Sequence, residues 1–183
     1  TPTNAGNYII ITESGMLGPA TELADYRATW RLQPKVVLLE QIYDEFNHGI
    51  ASPYAIKDFL CYAWENWDTR PQYVVLAGDG TYDYRNFGGY TECIIPAKLI
   101  STPDGLYASD GWYGDMDGDL VPEISIGRLP ALTKAELQHQ IDRIKSYETA
   151  VPAVWHNEAL LAADNPDAGG FFHAASDAVA ALL

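Results

Sequence analysis

The sequence predicts an α/β fold of three layers, a mostly parallel sheet covered by helices on both faces. Short β-branched apolar runs alternate with stretches of helical periodicity along the chain, the pattern of parallel strands joined by helical crossovers. Those runs are apolar without a polar alternate, as expected of strands buried on both faces. The 183 residues are 48% hydrophobic, enough for one domain with a substantial core.

The elements follow in order. Tyr8 to Thr12 reads as the first buried strand, and Ala20 to Leu32 as a helix with Leu23, Tyr26 and Trp30 on one stripe. Lys35 to Ile42 is expected as a second strand. Ser52 and Pro53 then mark a helix start, an N-cap followed by a proline at the first helical position. Its apolar stripe is Ile56, Phe59, Leu60, Ala63, Trp64 and Trp67, spaced three and four apart. Tyr73 to Ala77 is a third strand, closed by Gly78-Asp79-Gly80. A loop rich in Tyr, Gly and Asp leads to Ile94–Ile100, where Pro96 argues for an edge or an irregular strand. Glu123 to Arg128 is another strand. Thr133 and Glu136 form a capping box with Leu132 and Leu137 placed as a hydrophobic staple, opening a helix that buries Leu137, Ile141, Ile144 and Tyr147. Ala159 to Ala163 is expected as a last short strand, with a helix from Ala174. Thr1 to Asn4 looks like a cut through a linker, and Ala178 to Leu183 like a helix stopped in mid-course.

Charge narrows the function classes. The formal net charge is -14, from 25 acidic and 11 basic residues, a field that repels phosphate backbones and argues against nucleic-acid binding. It suits an acid-tolerant secreted protein or a binder of divalent cations. No apolar run reaches the length of a membrane span. Cys61 and Cys93 read as buried free thiols, although a disulfide between them is also open.

Acids collect where strands end: Asp44 and Glu45, Asp79 and Asp83, Asp164 and Asp167. The run Asp115-Met116-Asp117-Gly118-Asp119-Leu120-Val121-Pro122-Glu123 is distinct. Carboxylates at alternate positions followed by a glutamate suit a hard cation such as calcium, which takes six to eight oxygens. A merely solvated turn is the competing reading. The loop is not an EF-hand, since Leu120 stands at the glycine position and Ile126 at that of the bidentate glutamate. Around Gly78-Asp79-Gly80 the glycine fingerprint of a dinucleotide site is incomplete, and an acid sits where the phosphate would lie. None of His48, His139, His156 and His173 has an evident thiol or serine partner.

Taken together, Ile42-Tyr43-Asp44-Glu45-Phe46, Asp58-Phe59-Leu60, Val74 to Asp79, Ile95-Pro96-Ala97-Lys98, Ser109-Asp110 with Tyr113-Gly114, Glu123 to Arg128, and Gln140 to Arg143 with Tyr147-Glu148 resemble the gingipain-type cysteine peptidases, whose fold is related to that of the caspases. The resemblance implies that residues 8–183 are the amino-terminal subdomain of such a peptidase domain, truncated at its C-terminal end, with 1–7 a linker remnant. It implies a secreted or cell-surface endopeptidase whose catalytic His-Gly and Cys lie downstream, so that this part alone lacks both. His48-Gly49 mimics the motif but falls too early. The partners implied are a protein or peptide substrate and the remaining half of the peptidase domain.

By the same resemblance calcium is held by Asp79, Asp119, Glu123 and the carbonyls of Met116 and Val121, leaving Asp115 and Asp117 as outer-shell or solvated acids. Asp164 or Asp167 corresponds to the acid that supports the catalytic His. The acid that confers arginine specificity in some members would fall near Phe171-Phe172, where the sequence has none. A non-catalytic relative serving as a calcium-stabilised secretion or surface-assembly module is the alternative, and a calcium-dependent binding domain of unrelated ancestry is a third.

Overall fold

The apolar runs pair as parallel strands. In a computed structural model, which describes residues 4–89, 92–103, 105–151 and 153–182, β1 (Tyr8–Thr12), β2 (Pro34–Leu38), β3 (Tyr73–Ala77) and β6 (Ser125–Leu129) form one parallel sheet of order β2-β1-β3-β6. A separate antiparallel hairpin joins β4 (Leu99–Thr102) to β5 (Gly105–Ala108). Contacts divide the chain into two compact units, the first ending at Lys145 and the second beginning at Ser146.

Alternate residues of β1 feed opposite faces of the sheet. Ile9 and Ile11 pack with Val74 and Leu76 against Ile42 of α2 (Leu39–Asn47) and Ile56, Phe59, Leu60 and Ala63 of α3 (Pro53–Asn66). Tyr8 and Ile10 pack on the other face, with Ala20 and Leu23 of α1 (Leu17–Ala28) and Leu137 and Ile141 of α5 (Lys134–Thr149). Ile9, Ile10 and Ile11 are fully buried, each stabilising the fold by about 1.5–3 kcal/mol through burial. The chain steps from β1 to β2 on one side and returns to β3 on the other, so the strand order reverses between β1 and β3. Thr12, fully buried there, donates its hydroxyl to the Ala77 carbonyl at 2.9 Å.

Both expected helix starts form. Ser52 Oγ accepts the Tyr54 N–H at 3.2 Å with Pro53 opening α3. Glu136 donates its N–H to Thr133 Oγ1 and accepts the Thr133 N–H in return.

Several boundaries differ from expectation. The second strand ends at Leu38, and Leu39 begins α2 without a loop. Leu39 and Ile42 are three apart and both buried, a helical spacing hidden inside a continuous apolar run. Helix α1 stops at Ala28, leaving Trp30 in a turn and 53% exposed. Residues 94–98 are irregular because the Ile94 and Ile95 N–H groups both donate to the Asp79 carbonyl. Residues 4–7, expected as linker, are tied to the fold: Asn4 O accepts the Asp68 N–H, and Gly6 donates to Thr69 O.

The second unit holds the last turn of α5, a short 3-10 turn at Val154–Asn157 and α6 (Phe172–Ala180). The strand expected at Ala159 to Ala163 does not form, and Leu160 is 94% exposed. A lone five-residue strand has no stability without a ladder partner, and the described residues give it none.

Candidate metal centre

The acidic loop is built on the short helix α4 (Gly111–Gly114) and the entry to β6. Gly114 lets the two meet: a Cβ there would lie 2.2 Å from the Ile124 carbonyl oxygen, and Gly114 O accepts the Ile124 N–H at 3.1 Å. Lys57 of α3 fastens the turn from below, donating to the Trp112 carbonyl at 2.8 Å and to that of Asp115.

Between these anchors the loop wraps around its own carboxylates. Asp115, only 6% exposed, accepts the Gly118 N–H at 2.7 Å and the Leu120 N–H at 3.2 Å. Asp117 accepts from Asp119 N at 3.1 Å, Asp119 from Val121 N at 2.8 Å, and Glu123 from Met116 N at 2.6 Å. Gly118 and Leu120 adopt left-handed backbone, φ 83° and 74°, which turns successive amides inward. Carboxylate oxygens of Asp115, Asp117 and Glu123 converge within 4.8 Å of one another. Three such groups on one loop, with the nearby Lys57 ammonium engaged by carbonyls, form a donor set that could hold a metal ion. A cleft of about 370 Å³ opens beside them, lined by Cys61, Trp64, Glu65, Arg70, Met116, Asp117 and Glu123.

The expected ligand set is therefore only partly brought together. Glu123 lies in the cluster and Met116 lines the adjoining cleft, while Asp119 and Val121 sit on the same loop with Asp119 turned to the Val121 amide. Asp79 is elsewhere. Tyr73 is level with Ser125, and the Asp79 N–H donates to the Ala131 carbonyl, so Asp79 and Glu123 mark opposite ends of the β3–β6 pair. Six residues of strand at about 3.3 Å each separate the two ends by roughly 20 Å. Asp115 and Asp117, expected as outer-shell or solvated acids, stand in the cluster with Glu123.

The carboxyl end of the sheet holds a different arrangement that sequence reasoning passed over. Arg128 is bidentate to Asp110, with Nε and Nη2 each 2.7 Å from a carboxylate oxygen. Its Nη1 donates to the carbonyls of Gly78 at 2.9 Å and Ile95 at 3.0 Å. Burial works against the charge on Arg128, but the hydrogen bonds and charge of Asp110 outweigh it and raise its pKa. Tyr113, fully buried, donates to the Pro96 carbonyl at 2.5 Å. The signal available in the sequence was an arginine inside an apolar strand, a residue that stays buried only when paired.

Cys61 and Cys93 are both free and partly buried, and burial pushes each thiol up, away from the reactive thiolate. In the second unit Asp164 and Asp167 are exposed and cap local turns, accepting the Asn165 and Gly169 amides at 2.7 Å.

The sequence model of peptidase family C25 matches residues 1–183. The chain belongs to peptidase family C25. Among solved structures it is similar to the Arg-specific cysteine proteinase gingipain R (RgpB), with TM-score 0.71 and 25% identity, covering 100% of this chain and 39% of that one. It also shares the fold of the dimeric latent PorU of Porphyromonas gingivalis, with TM-score 0.68 and 23% identity over 87% of this chain and 17% of that one. An uncharacterised protein of Archaeoglobus fulgidus is 24% identical over 151 residues, 79% of this chain and 36% of its own length. The C25 chain thus spans well under half of each relative. Among the described residues no helix is long and apolar enough to cross a membrane.

Proposed function

We propose that this chain is the amino-terminal part of the peptidase domain of a secreted or cell-surface cysteine endopeptidase. The observation that carries the reading is the C25 match along all 183 residues, supported by the likeness to gingipain R. In this reading a Cys–His pair in the following part of the domain performs the chemistry. The His takes the thiol proton, and the thiolate attacks the peptide carbonyl. The residues described here supply the sheet, one wall of the cleft, and Asp164 or Asp167 as the acid that orients the His. The carboxylates of Asp115, Asp117 and Glu123 would hold calcium, whose chemistry there is to neutralise the loop and fix its shape. That site lies at the amino end of β6, so its part is structural.

The test is thiol-dependent cleavage. The domain that includes this chain should hydrolyse an unfolded protein, lose that activity to iodoacetamide, and leave the isolated 183 residues inactive. Stable, soluble domain without any thiol-dependent cleavage would instead favour a non-catalytic assembly module.

A further inference from the structure

Between β3 and β4 the chain leaves the sheet at its carboxyl end and returns through a closed neck. The Asp79 carbonyl accepts the N–H groups of Ile94 and Ile95 at 3.0 and 2.9 Å, while Arg128 joins Gly78 O to Ile95 O. The neck admits only glycines: a Cβ on Gly78 would lie 2.6 Å from Ile94 Cγ2, and one on Gly80 2.3 Å from the Ile95 oxygen. The described residues of this segment, 80–89, 92 and 93, therefore lie on a surface excursion with joined ends, as in the compact loops that are frequently functional.

Its described part is held by its own side chains. The Asp83 carboxylate accepts the amides of Phe87 at 3.0 Å and Gly88 at 2.6 Å, and Thr81 Oγ1 accepts the Asp83 amide at 3.1 Å. Despite that internal order Tyr82 is 71% exposed and Phe87 84%. Exposed aromatic rings on a Tyr, Gly, Asn and Asp framework give large contact area at low entropic expense, the chemistry of polypeptide-binding loops.

Two observations identify the occupant. The loop stands at the carboxyl end of β3, beside the reversal of strand order between β1 and β3, where open α/β sheets bind ligands. Its surface is mixed, Tyr82 and Phe87 being interspersed with Asp83, Arg85 and Asn86. A permanent seam within a domain would be more uniformly apolar, whereas a surface that binds and releases has this composition. We propose that residues 80–89 form an exosite for an extended polypeptide substrate, with Tyr82 and Phe87 gripping apolar side chains remote from the scissile bond. This rests on the peptidase reading above.

The experiment compares the active domain with its Tyr82→Ser/Phe87→Ser variant on reduced, carboxymethylated ribonuclease and on a short fluorogenic peptide. Loss of two aromatic anchors should raise KM for the long substrate about tenfold. Its kcat, the kinetics on the short peptide and the melting temperature should not change. Equal KM on the long substrate overturns the exosite. So does a fall in melting temperature, which makes the loop an internal packing surface, or a change in oligomeric state, which makes it a contact between copies. If the unmodified domain cleaves neither substrate, the peptidase reading fails separately. Binding of the carboxymethylated ribonuclease, measured by fluorescence anisotropy, then decides the loop: binding weakened in the variant supports it, and absent or unaltered binding overturns it.

Discussion

The two ends of the β3–β6 pair carry similar acids in opposite electrostatic settings. At the carboxyl end Asp110 is matched by a bidentate guanidinium, and Arg128 uses its remaining donor on two carbonyls. At the amino end Asp115, Asp117 and Glu123 converge, and among the described residues the hydrogen bonds to their carboxylates come from backbone amides, with Arg70 lining the adjoining cleft. The first arrangement is complete within the chain. The second is a set of like charges held together by its own loop, and a cation would relieve it. The difference teaches that acidic composition alone does not mark a metal site; what marks it is carboxylates that converge on one another, where Asp110 is instead taken up by a guanidinium.

The largest effect is expected where the complete arrangement is broken. Arg128 and Asp110 have side-chain exposures of 14% and 30%. Arg128→Met leaves the Asp110 carboxylate without its counter-charge and two carbonyls without a donor, and should destabilise the protein by about 3 kcal/mol. Urea denaturation would measure it, and adding Asp110→Leu should recover part of the loss. A double variant no better than the single one would mean that the carbonyl contacts, not the ion pair, carry the energy.

A smaller effect is expected at the other end. Calcium at a hundred times its dissociation constant should stabilise the protein by about 2.7 kcal/mol, or a rise in melting temperature of roughly 5–10 °C for a chain of this size. Glu123→Gln should abolish the rise, Asp119→Asn should reduce it little, and Asp79→Asn should leave it intact. A rise abolished by Asp79→Asn would restore the strand-spanning clasp that the sequence suggested.

That contrast also shows how far the sequence could be read. Buried strands were legible because Ile9, Ile10 and Ile11 form an unbroken apolar run, and helix starts because Ser52-Pro53 and Thr133…Glu136 act within one turn. The clustering of acids in this loop was legible for the same reason, its carboxylates being neighbours in the chain. Features set by register were not. Asp79 and Glu123 lie on adjacent strands, and only the parallel pairing of Tyr73 with Ser125 shows that they sit at opposite ends. Asp110 and Arg128 are 18 residues apart, with α4 and the acidic loop between them. The switch at Leu38–Leu39 was hidden because apolar residues that suit a strand also suit a buried helix face. Residues 159–163 are an apolar run without β-branched or aromatic side chains, and apolarity alone cannot supply a neighbouring strand.

The smallest effect should separate two carboxylates near the carboxyl ends of β1 and β2. Burial raises the pKa of Glu13, and the nearby charges of Glu40 and Glu92 raise it further. For Glu40 burial is the largest influence and acts to raise the pKa, but hydrogen bonds from the Ser14 amide at 2.9 Å, from its own amide and from the Ser14 side chain together prevail and lower it. The signs therefore oppose. The folded state holds the Glu13 proton more tightly than the unfolded chain does, so ionised Glu13 disfavours folding at neutral pH. That penalty fades as the pH falls through the raised pKa toward the ordinary value of 4.5. Ionised Glu40 favours folding, and its contribution fades as the pH falls below the ordinary value through the lowered pKa. Glu13→Gln should accordingly raise the melting temperature slightly at neutral pH, with the gain closing near pH 4.5, while Glu40→Gln should lower it slightly, with the loss closing only at more acidic pH. Both groups are partly solvated, so both differences should be small and should shrink in high salt. Melting curves across that pH range would decide the matter: differences independent of pH would assign the effects to hydrogen bonding and packing, and not to charge.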